Sequence, residues 1–509
     1  MIFKEDMSII GYYLGKILDR VGIIMIFPIT VGIIYREWSI IPDFIIGLLI
    51  SLLVSYILRI IFHTTTPELK FKHAMSIAAF TWIFGAGLAA IPMWLSGFLN
   101  SYMDSYFEGM SGFTSTGFSM IPDLDHLPRS INFWRHSLQF FGGVGIVMLM
   151  LAILTRGITG MTRLYFSEGR EDRISPNISK TARSIFSIAL LYLTLGIILL
   201  WLIGIIIGMS PQDSLFDAIA VSMAALGRGG FGLHSQSILY YHSMLYEIGT
   251  IFIFFMGTIN FIVHYFVLTG NRKELFKNIE VLTFLTTVFV LSFLTISWLS
   301  QDHVYSNYIV LFRKGFYILM SGHATTGFQT VYPAQISKEW TNVPEFAVII
   351  AMLLGASTCS TGGGIKSLRV GVILKSFHHE IKKIILPETA IIVEKYHHIQ
   401  DIILTDKQMK NAFLVVFGYI ILFLIGSIIT MSYNYNVVDS MFETASAIAN
   451  TGLSAGIMNY TAPPMLKITY MFLMWVGRLE IMPVFVLLGV IYLAIKRRPS
   501  LLRSLSTFS

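Results

Sequence analysis

Residues 104–118 read Asp-Ser-Tyr-Phe-Glu-Gly-Met-Ser-Gly-Phe-Thr-Ser-Thr-Gly-Phe, a half-apolar stretch that ends in a glycine turn. This stretch is too short to cross a bilayer, because a spanning helix needs about 20 predominantly apolar residues. Three later stretches, at 217–231, 314–328 and 439–453, have the same design. Such a repeat predicts four copies of one structural unit in a single chain.

The four stretches align on one glycine, which is Gly117, Gly230, Gly327 or Gly452. Each has a charged residue thirteen positions before the glycine and a small residue six positions before it. The charged residues are Asp104, Asp217, Lys314 and Asp439. We expect the aspartates to cap the free N–H groups at the start of a short helix.

The rest of the chain is apolar enough for a membrane. Its 509 residues are 55% hydrophobic and 13% charged, whereas a soluble domain carries about 25% charged residues. Ten spanning helices are predicted, at residues 21–35, 44–62, 74–97, 133–154, 183–208, 244–268, 281–300, 344–376, 411–432 and 466–495. The net charge of +7 does not indicate nucleic-acid binding, because Lys and Arg lie between the apolar segments.

Basic residues set the predicted orientation. They concentrate in three segments, 156–183, 366–410 and 496–503. If the chain has ten spans, all three segments lie on the same side of the membrane. That side is predicted to be the cytoplasm, because cytoplasmic loops are enriched in Lys and Arg. Both termini are then cytoplasmic in a multi-pass protein of the cell membrane. The predicted fold is all-α and polytopic, with two N-terminal helices in residues 1–70 and four units of span, pore helix and span around a single pore. The units are 71–165, 180–270, 278–385 and 405–509.

The glycine turns carry the predicted chemistry. Irregular backbone at membrane depth is tolerated only where protein or a water-filled cavity shelters it. Glycine allows backbone angles that aim carbonyl groups inward, and a ring of carbonyl oxygens can replace the hydration shell of K⁺. The partly negative C-terminal ends of the short helices also favour a cation. The predicted K⁺-binding filter consists of Ser115, Thr116, Gly117, Gly229, Gly230, Thr325, Thr326, Gly327, Asn450, Thr451 and Gly452. The alternative is that the four stretches are ordinary outer loops with a capping Asp and a turn Gly. The occurrence of four stretches with the same spacing disfavours this alternative.

Several motifs resemble known sequences. The run from Phe107 to Gly117, followed by Phe133-Trp134-Arg135 and Gly142-Gly143-Val144-Gly145, resembles the first pore unit of Trk-type potassium transporters, of the Trk/Ktr/HKT superfamily. Three further runs of this chain resemble the second, third and fourth pore units of that family: Gly229-Gly230-Phe231 with His234, Ala324-Thr325-Thr326-Gly327-Phe328 and Asn450-Thr451-Gly452-Leu453. A fourth run resembles a signature of the family's last helix, Gly477-Arg478-Leu479-Glu480. The resemblance covers essentially the whole chain, including the two extra N-terminal spans.

The resemblance implies K⁺ uptake by a homodimer in which four units surround one pathway. It also implies a cytosolic ring of RCK-type nucleotide-binding subunits that gates the pore, so the nucleotide is expected on the partner and no cofactor in this chain. The sequence agrees that the nucleotide site is not in this chain. The run Gly143-Val144-Gly145 lies inside an apolar span, whereas a dinucleotide-binding loop lies between a strand and a helix.

Arg228 departs from the family pattern, which has an apolar or small polar residue two positions before the filter glycine. An Arg that faced the pore would repel K⁺. We expect the side chain to point behind the filter, towards an acid or a carbonyl; altered selectivity or conductance is the alternative.

A run of small residues interrupts the second span of the third unit, from Gly355 to Lys366. Each Gly costs a helix roughly 1 kcal/mol relative to Ala, so an irregular segment that lines the cavity is expected. The resemblance assigns it to an intramembrane gating loop; the gating residues named there are Gly355, Ser357, Thr358, Gly362, Gly363, Gly364 and Lys366. A kink from tight helix packing is the alternative. A phosphate-binding loop is disfavoured, because Ile365 separates the last Gly from Lys366.

Arg478 lies inside an apolar span, where a charge is by default a functional hypothesis. We expect it to face the pore below the filter as an electrostatic barrier; the alternative is a structural pair with Glu480 or Glu247. Lys366 is a second barrier candidate, or a side chain that extends to the cytoplasmic surface. The histidines of the charged loop, His378, His379, His397 and His398, indicate a solvated or partner-binding surface better than a metal site.

Two transport mechanisms remain open. A gated, channel-like pore is favoured over Na⁺- or H⁺-coupled symport, because coupled transporters tend to have matched broken helices in inverted halves and only one broken helix is predicted here. The chain has no His-Glu-x-x-His or Gly-x-Ser-x-Gly motif, so an enzyme is not predicted.

Overall fold

The computed structural model describes residues 2–63, 69–145, 172, 174, 177–387 and 392–505. The N-terminal part consists of α1 (Ile2–Ile24), α2 (Ile26–Ile34) and α3 (Ile41–Ile61). The first repeat has α4 (Phe71–Leu95), α5 (Tyr102–Phe113) and α6 (Arg129–Val144). The second has α7 (Ile178–Ile206), α8 (Pro211–Gly227), a 3₁₀ turn (Ser237–Tyr241), α9 (Met244–Thr258) and α10 (Phe261–Leu268).

The third repeat follows a short helix, α11 (Glu274–Lys277), and has α12 (Ile279–Gln301), α13 (Tyr308–His323), α14 (Pro333–Glu339), α15 (Asn342–Leu353) and α16 (Ser367–Ile385). An antiparallel hairpin of β1 (Lys395–His398) and β2 (Gln400–Ile403) precedes the fourth, in which His398 pairs with Gln400. The fourth repeat has α17 (Asp406–Met431), α18 (Val437–Ile448), α19 (Pro464–Arg478) and α20 (Met482–Leu505).

The membrane-spanning content confirms an all-α polytopic protein. Among the described residues, six helical segments are long and apolar enough to cross a bilayer, and α1 and α2 together form one of them. Two further spans are bent pairs, α9 with α10 at 98° and α19 with α20 at 109°. Many large apolar side chains on the outer faces are exposed, as expected where lipid covers the helices.

Three of the ten predicted spans contain a sharp bend or an irregular segment. The prediction of one broken helix is wrong, because breaks occur in 244–268 and 466–495 as well as in 344–376. Asn260 begins a new helix by accepting the backbone N–H of Ile262 at 2.9 Å, and Glu480 and Ile481 have positive φ angles of 53° and 72°. Of the predicted span 133–154, the part beyond residue 145 lies outside the described residues.

The four short helices α5, α8, α13 and α18, here called the pore helices, pack in a cyclic arrangement. Each lies between the two long helices of its own repeat. The helix that follows it also contacts the pore helix of the next repeat: α6 contacts α8, α9 contacts α13, α15 contacts α18, and α19 contacts α5. The last repeat therefore closes onto the first.

The starts of the pore helices differ from the prediction. Three of them begin after a polar residue whose side-chain oxygen accepts a backbone N–H, namely Ser101, Ser210 and Asn307. The aspartates predicted as caps accept bonds from other elements instead: Asp104 from Lys467, Asp217 from Tyr241 and Asp439 from Ser337. The capping interpretation of these aspartates is therefore wrong.

Candidate functional site

All four pore helices end in the same turn. In each repeat, two consecutive residues just beyond the helix donate their N–H groups back to it in a paired 5→2 and 6→1 pattern; in the first repeat Ser115 donates to Gly112 at 3.0 Å and Thr116 to Ser111 at 2.8 Å. The first of these residues is left-handed in every repeat, at Ser115 (φ 55°), Arg228 (56°), Thr325 (50°) and Asn450 (53°). This is the Schellman motif, which usually places Gly at that position.

The chain leaves this turn through the aligned glycines, which also have positive φ. Each touches the carbonyl oxygen of the residue before the aligned glycine of the next repeat. The distances from a β-carbon built on the glycine to that oxygen are 2.2 Å from Gly117 to Gly229, 2.1 Å from Gly230 to Thr326, 2.0 Å from Gly327 to Thr451 and 2.1 Å from Gly452 to Thr116. The four contacts form a closed ring, here called the carbonyl ring, in which no side chain fits at a glycine.

The left-handed residues direct their side chains towards the second helices and the loop behind them, and Asn450 Nδ2 also donates to Thr116 Oγ1 at 3.0 Å. Ser115 Oγ donates to the carbonyl of Gln139 at 3.1 Å, and Asn450 Nδ2 donates to that of Met474 at 2.9 Å. Thr325 Oγ1 accepts the N–H of Gly363 at 3.1 Å. Because the backbone is the same in all four repeats, a difference in side chain here does not change the path of the chain through the ring.

Arg228 follows this rule but lacks the expected partner. Its side chain is fully buried, and none of its guanidinium nitrogens has a hydrogen-bond partner in the described chain. A β-carbon on Gly362 would lie 0.9 Å from Arg228 Nη2. The missing side chain of Gly362 therefore makes room for the guanidinium, and the prediction that an acid or a carbonyl pairs with it is wrong.

We expect Gly362→Ala to lower the thermal unfolding midpoint of the purified protein, because overpacking of a buried site costs about 1–3 kcal/mol. The second variant adds Arg228→Ser, because the first repeat has Ser115 at the equivalent position. This double variant is expected to recover most of the lost unfolding midpoint. Equal midpoints for Gly362→Ala and the double variant would show that the two residues are not in contact.

Two buried glutamates hold the backbone after the ring, and the sequence interpretation did not assign them a role. Glu108 accepts the N–H of Met120 at 2.7 Å, and Glu443 accepts those of Ala455 at 2.8 Å and Met458 at 2.7 Å. Both stand nine positions before the aligned glycine, a spacing that the second and third repeats do not share. The signal was present in the sequence, but in only two of the four units.

The first of these glutamates also forms an ion pair with Arg135 on α6, at 2.7 Å, and both side chains are fully buried. Gln139, one helical turn further, donates to the carbonyl of Gly229 at 2.6 Å and accepts the N–H of Phe231 at 3.1 Å. Helix α6 thus supports the turn of its own repeat and the turn of the next.

Glu108→Gln is expected to reduce the free energy of unfolding by about 3–5 kcal/mol, because the guanidinium of Arg135 would remain buried without its counter-charge. The measurement is thermal or denaturant unfolding in detergent. Asp123→Asn is the matched control, since Asp123 pairs with His126 while more than half exposed, and exposed pairs contribute about 0–1 kcal/mol. A loss no larger than that of the control would contradict the expectation.

The segment 355–366, here called the intramembrane loop, lies against the ends of the pore helices. A β-carbon on Gly363 would lie 2.1 Å from the carbonyl oxygen of Ala449, the residue that follows the fourth pore helix. Thr361 Oγ1 donates to the carbonyl of Leu226 near the end of the second, at 2.7 Å. Gly355, Ser357, Thr358, Gly362, Gly363 and Gly364 are all buried.

The loop also satisfies the backbone groups that the break after α9 leaves open. The N–H of Thr361 donates to the carbonyl of Gly257 at 3.3 Å, and that of Ser357 to the carbonyl of Thr258 at 3.3 Å. In return Phe261 donates its N–H to the carbonyl of Cys359 at 3.2 Å. The last turn of a helix has unsatisfied carbonyls, so the helix break and the loop depend on each other.

Arg478 bridges three segments below the carbonyl ring. Its guanidinium donates to the carbonyl of Thr361 in the loop at 2.9 Å, and to those of Gly142 and Gly143 at the end of α6 at 2.7 and 2.8 Å. The two acids considered as its partners bind other residues. Glu480 pairs with Arg369, and Glu247 with Arg313.

Lys366 does not extend to the surface. It is 6% exposed, its Nζ donates to the carbonyl of Gly362, and Nζ lies 3.8 Å from Glu480 Oε1. The interpretation as a side chain that extends to the cytoplasm is therefore wrong. Three cationic side chains therefore lie against the intramembrane loop, namely those of Lys366, Arg228 and Arg478.

The apolar spans, the cyclic packing and the ring of carbonyls define a multi-pass membrane protein whose four repeats build one intramembrane site. The profile of the TrkH family, described as cation transport protein, matches residues 40–492. The chain belongs to this family, which makes it a cation transporter and not an enzyme.

Individual relatives extend over nearly the whole chain. An uncharacterized cation transporter of Methanocaldococcus jannaschii is 33% identical over 491 residues, 96% of this chain and 97% of that protein. The Trk system potassium uptake protein TrkG of Escherichia coli is 27% identical, over 95% of this chain and 98% of that protein. The crystal structure of the potassium transporter TrkH from Vibrio parahaemolyticus has a TM-score of 0.80 at 24% identity, covering 94% and 98% of the two chains. That last similarity shows a common fold.

Proposed function

We propose that this chain is the membrane subunit of a potassium-uptake system, and that K⁺ crosses the membrane through the carbonyl ring. The observation that carries the proposal is the closure of the ring, in which Gly117, Gly230, Gly327 and Gly452 each meet a carbonyl of the next repeat. Relatives along the full length are named as potassium uptake proteins. Oxygen ligands from four sides can replace the water around a dehydrated K⁺.

The ion-binding residues in this proposal are the two or three at each turn that end with the aligned glycine, as the sequence predicts. Backbone carbonyls are the main ligands. The hydroxyls of Thr326 and Thr451 are buried and have no hydrogen-bond partner in the described chain, which leaves them available as further oxygen ligands. The negative ends of the four pore helices add a favourable potential for a cation.

The gate in this proposal is the intramembrane loop with Arg478 and Lys366. The loop lies against the pore-helix ends and is joined to the end of α6 by Arg478. Two cationic side chains next to a cation path oppose ion passage until the loop moves. In the family pattern, a cytosolic ring of RCK-type subunits with bound nucleotide would move it.

The proposed organisation follows the sequence prediction. The four pore units occupy 71–165, 180–270, 278–385 and 405–509 after the N-terminal helices, both termini lie in the cytoplasm, and two chains form a homodimer. The cyclic order of helix contacts supports repeats related by rotation about one axis.

Na⁺- or H⁺-coupled symport is the second candidate, favoured by the breaks in the second helices of three repeats. Half-helix ends at membrane depth coordinate Na⁺ or H⁺ in coupled transporters. Those proteins, however, are built from inverted halves or from pairs of repeats, whereas four units in one cyclic order fit a pore.

Purified protein in liposomes tests both candidates. A channel-like pore is expected to give K⁺ and Rb⁺ currents that exceed Na⁺ current and reverse at the K⁺ equilibrium potential. A reversal potential that follows the gradient of Na⁺ or H⁺ would favour symport, and equal permeation of all three cations would refute the filter assignment.

A further inference from the structure

A charged contact joins each repeat to the next, in the half of the pore helix that lies away from the carbonyl ring. At three of the four junctions this contact is an ion pair between the second helix of one repeat and the pore helix of the following one. The pairs, with nitrogen-to-oxygen distances where given, are Arg129 with Asp213 at 2.5 Å, Glu247 with Arg313, and Lys467 with Asp104 at 2.6 Å. Each of these junctions is therefore held by opposite charges.

The fourth junction, between the third and fourth repeats, has an acid on both sides. Glu345 is the fourth residue of α15, and Glu247 and Lys467 are the fourth residues of α9 and α19. Asp439 is the third residue of α18, as Asp104 is of α5. The carboxyl groups of Glu345 and Asp439 face each other at hydrogen-bonding range. The positions that carry an ion pair elsewhere thus carry two like charges here.

No basic side chain neutralises this pair in the part of the chain that the structure describes. The charged groups that face Glu345 are Asp439 and Glu443, both acidic and both on α18; α12 and α13, which also pack against α15, contribute none. Glu443 is already engaged, because its carboxyl group accepts the N–H groups of Ala455 and Met458. The unusual contact is therefore confined to Glu345 and Asp439.

The pair also lacks hydrogen-bond donors. Glu345 is 3% exposed, and its Oε1 is buried without a hydrogen-bond partner, as is Asp439 Oδ1. Ser337 on α14 donates its hydroxyl to the other oxygen of Asp439 at 3.0 Å. Two ionised carboxylates cannot bond to each other, because both are acceptors only. One oxygen on each group is thus left without a donor.

A proton supplies both the missing charge and the missing donor. When two carboxyl groups share a site, one of them keeps its proton to a higher pH than an isolated carboxyl group. Burial acts in the same direction, because an unpaired charge away from water is costly and the group neutralises instead. A protonated carboxyl is also a donor. Among the described residues, no group of three or more His, Cys, Asp or Glu side chains is placed to hold a metal ion, which favours a proton over a metal.

We propose that Glu345 and Asp439 form a proton-binding site, in which one shared proton takes the place of the basic side chain of the other three junctions. In the orientation predicted from the basic loops, this site is on the outer side of the membrane, where the pore helices begin. Asp439 is partly exposed, so protons reach the pair from water.

The site is connected to both parts of the proposed pathway. Helix α15 ends at Leu353, directly before the intramembrane loop, and α18 ends at the turn that carries Thr451. Loss of the shared proton leaves two like charges between these helices and pushes them apart. The effect on transport rests on the proposed function, whereas the proton site itself does not.

Infrared spectroscopy detects the proton without any transport measurement. The full-length protein in liposomes is measured at pH 7, and the spectrum of Glu345→Gln is subtracted from that of wild type. The difference is expected to contain the carbonyl band of a protonated carboxylic acid, because glutamine donates to Asp439 without a titratable proton. A difference that contains only bands of an ionised carboxylate would overturn the proposal.

Glu247→Gln is the matched control. Glu247 has the same place in α9 but pairs with Arg313, whose side chain is 28% exposed and so remains hydrated in the variant. The difference spectrum of this control is expected to contain bands of an ionised carboxylate and no protonated band. A protonated band of equal size for both variants would overturn the proposal.

Glu345→Lys tests the same site by stability and does not depend on Glu345→Gln being folded. It places at the fourth junction the ion pair that Lys467 and Asp104 form at another. The shared proton stabilises wild type at acid pH, and this stabilisation is lost as the pH rises through the value at which the pair releases the proton. Between pH 6 and pH 9 the thermal unfolding midpoint of wild type is expected to fall by about 2 °C or more beyond that of Glu345→Lys. Equal changes in the two proteins would overturn the proposal.

K⁺ flux through the same liposomes, with the pH varied on one side at a time, tests the connection to the pathway. Alkaline pH on the outer side is expected to lower the flux of wild type but not that of Glu345→Lys. A protonated band together with a pH-independent flux would support the proton site and refute its connection to the pore. Absence of the protonated band with normal K⁺ flux would overturn the proton site and leave the proposed function standing.

Discussion

Gly327→Ala is expected to lower K⁺ uptake by about tenfold or more. The new β-carbon would lie 2.0 Å from the carbonyl oxygen of Thr451, a contact that forces the ring carbonyl or the neighbouring turn to move. Overpacking costs about 1–3 kcal/mol, and each 1.4 kcal/mol corresponds to a factor of ten in a rate. Uptake is measured in a K⁺-requiring strain and in liposomes, with Na⁺ flux recorded in parallel.

The control separates the contact from backbone strain. Gly208→Ala places alanine at a similar left-handed angle, φ +96° against +89° for Gly327, but a β-carbon there has no heavy atom within 4 Å. Gly208→Ala is therefore expected to lose only stability, about 1 kcal/mol, and to retain uptake. If Gly327→Ala transported K⁺ as Gly208→Ala does, with unchanged discrimination against Na⁺, the carbonyl ring would not be the filter.

The second large effect is expected for Arg478→Ala, which should raise the basal K⁺ flux of the isolated membrane subunit by about tenfold or more. The substitution removes a positive charge and three hydrogen bonds to backbone carbonyls below the ring. Hydrogen bonds to charged groups contribute about 1.5–3 kcal/mol each, so the loop loses its connection to α6. Flux is measured in liposomes without any cytosolic partner.

Arg478→Lys distinguishes the charge from the bridge, because an ammonium keeps the charge but cannot reproduce the planar fork of donors. Basal flux near that of wild type would identify electrostatic repulsion as the barrier. Flux near that of Arg478→Ala would identify the bridge to the loop as the barrier. Unchanged flux in both variants would remove Arg478 from the gate.

The sequence predicted the spans and the repeat for direct physical reasons. A bilayer requires long apolar helices, and the glycine spacing repeats because each glycine makes the same contact. The breaks after α9 and α19 were not predicted, since no Gly or Pro stands at Ile259, Asn260, Leu479 or Glu480. The carbonyls that the first break exposes are satisfied by a loop about a hundred residues away, which no local pattern reveals.

The candidate site was predicted at the level of the glycines and less well around them. The aspartates were interpreted as caps although Ser101 and Ser210 each stand three positions before an Asp, the usual capping signature. The left-handed angle at Ser115, Arg228, Thr325 and Asn450 was not expected, because these positions lack Gly. His398 was grouped with the solvated histidines but is 4% exposed, since only the tertiary fold brings Asp172 and Glu280 to it.

The closure of four unequal repeats in one polypeptide has a consequence for how the pathway opens. In an assembly of identical subunits every quarter would carry the same twelve-residue insertion, and four of them would compete for one space on the axis. A tandem chain can give the insertion to one quarter and the residues that contact it, such as Leu226 and Ala449, to other quarters. We therefore expect opening in a single step, with one moving part per pathway and no sublevels of conductance.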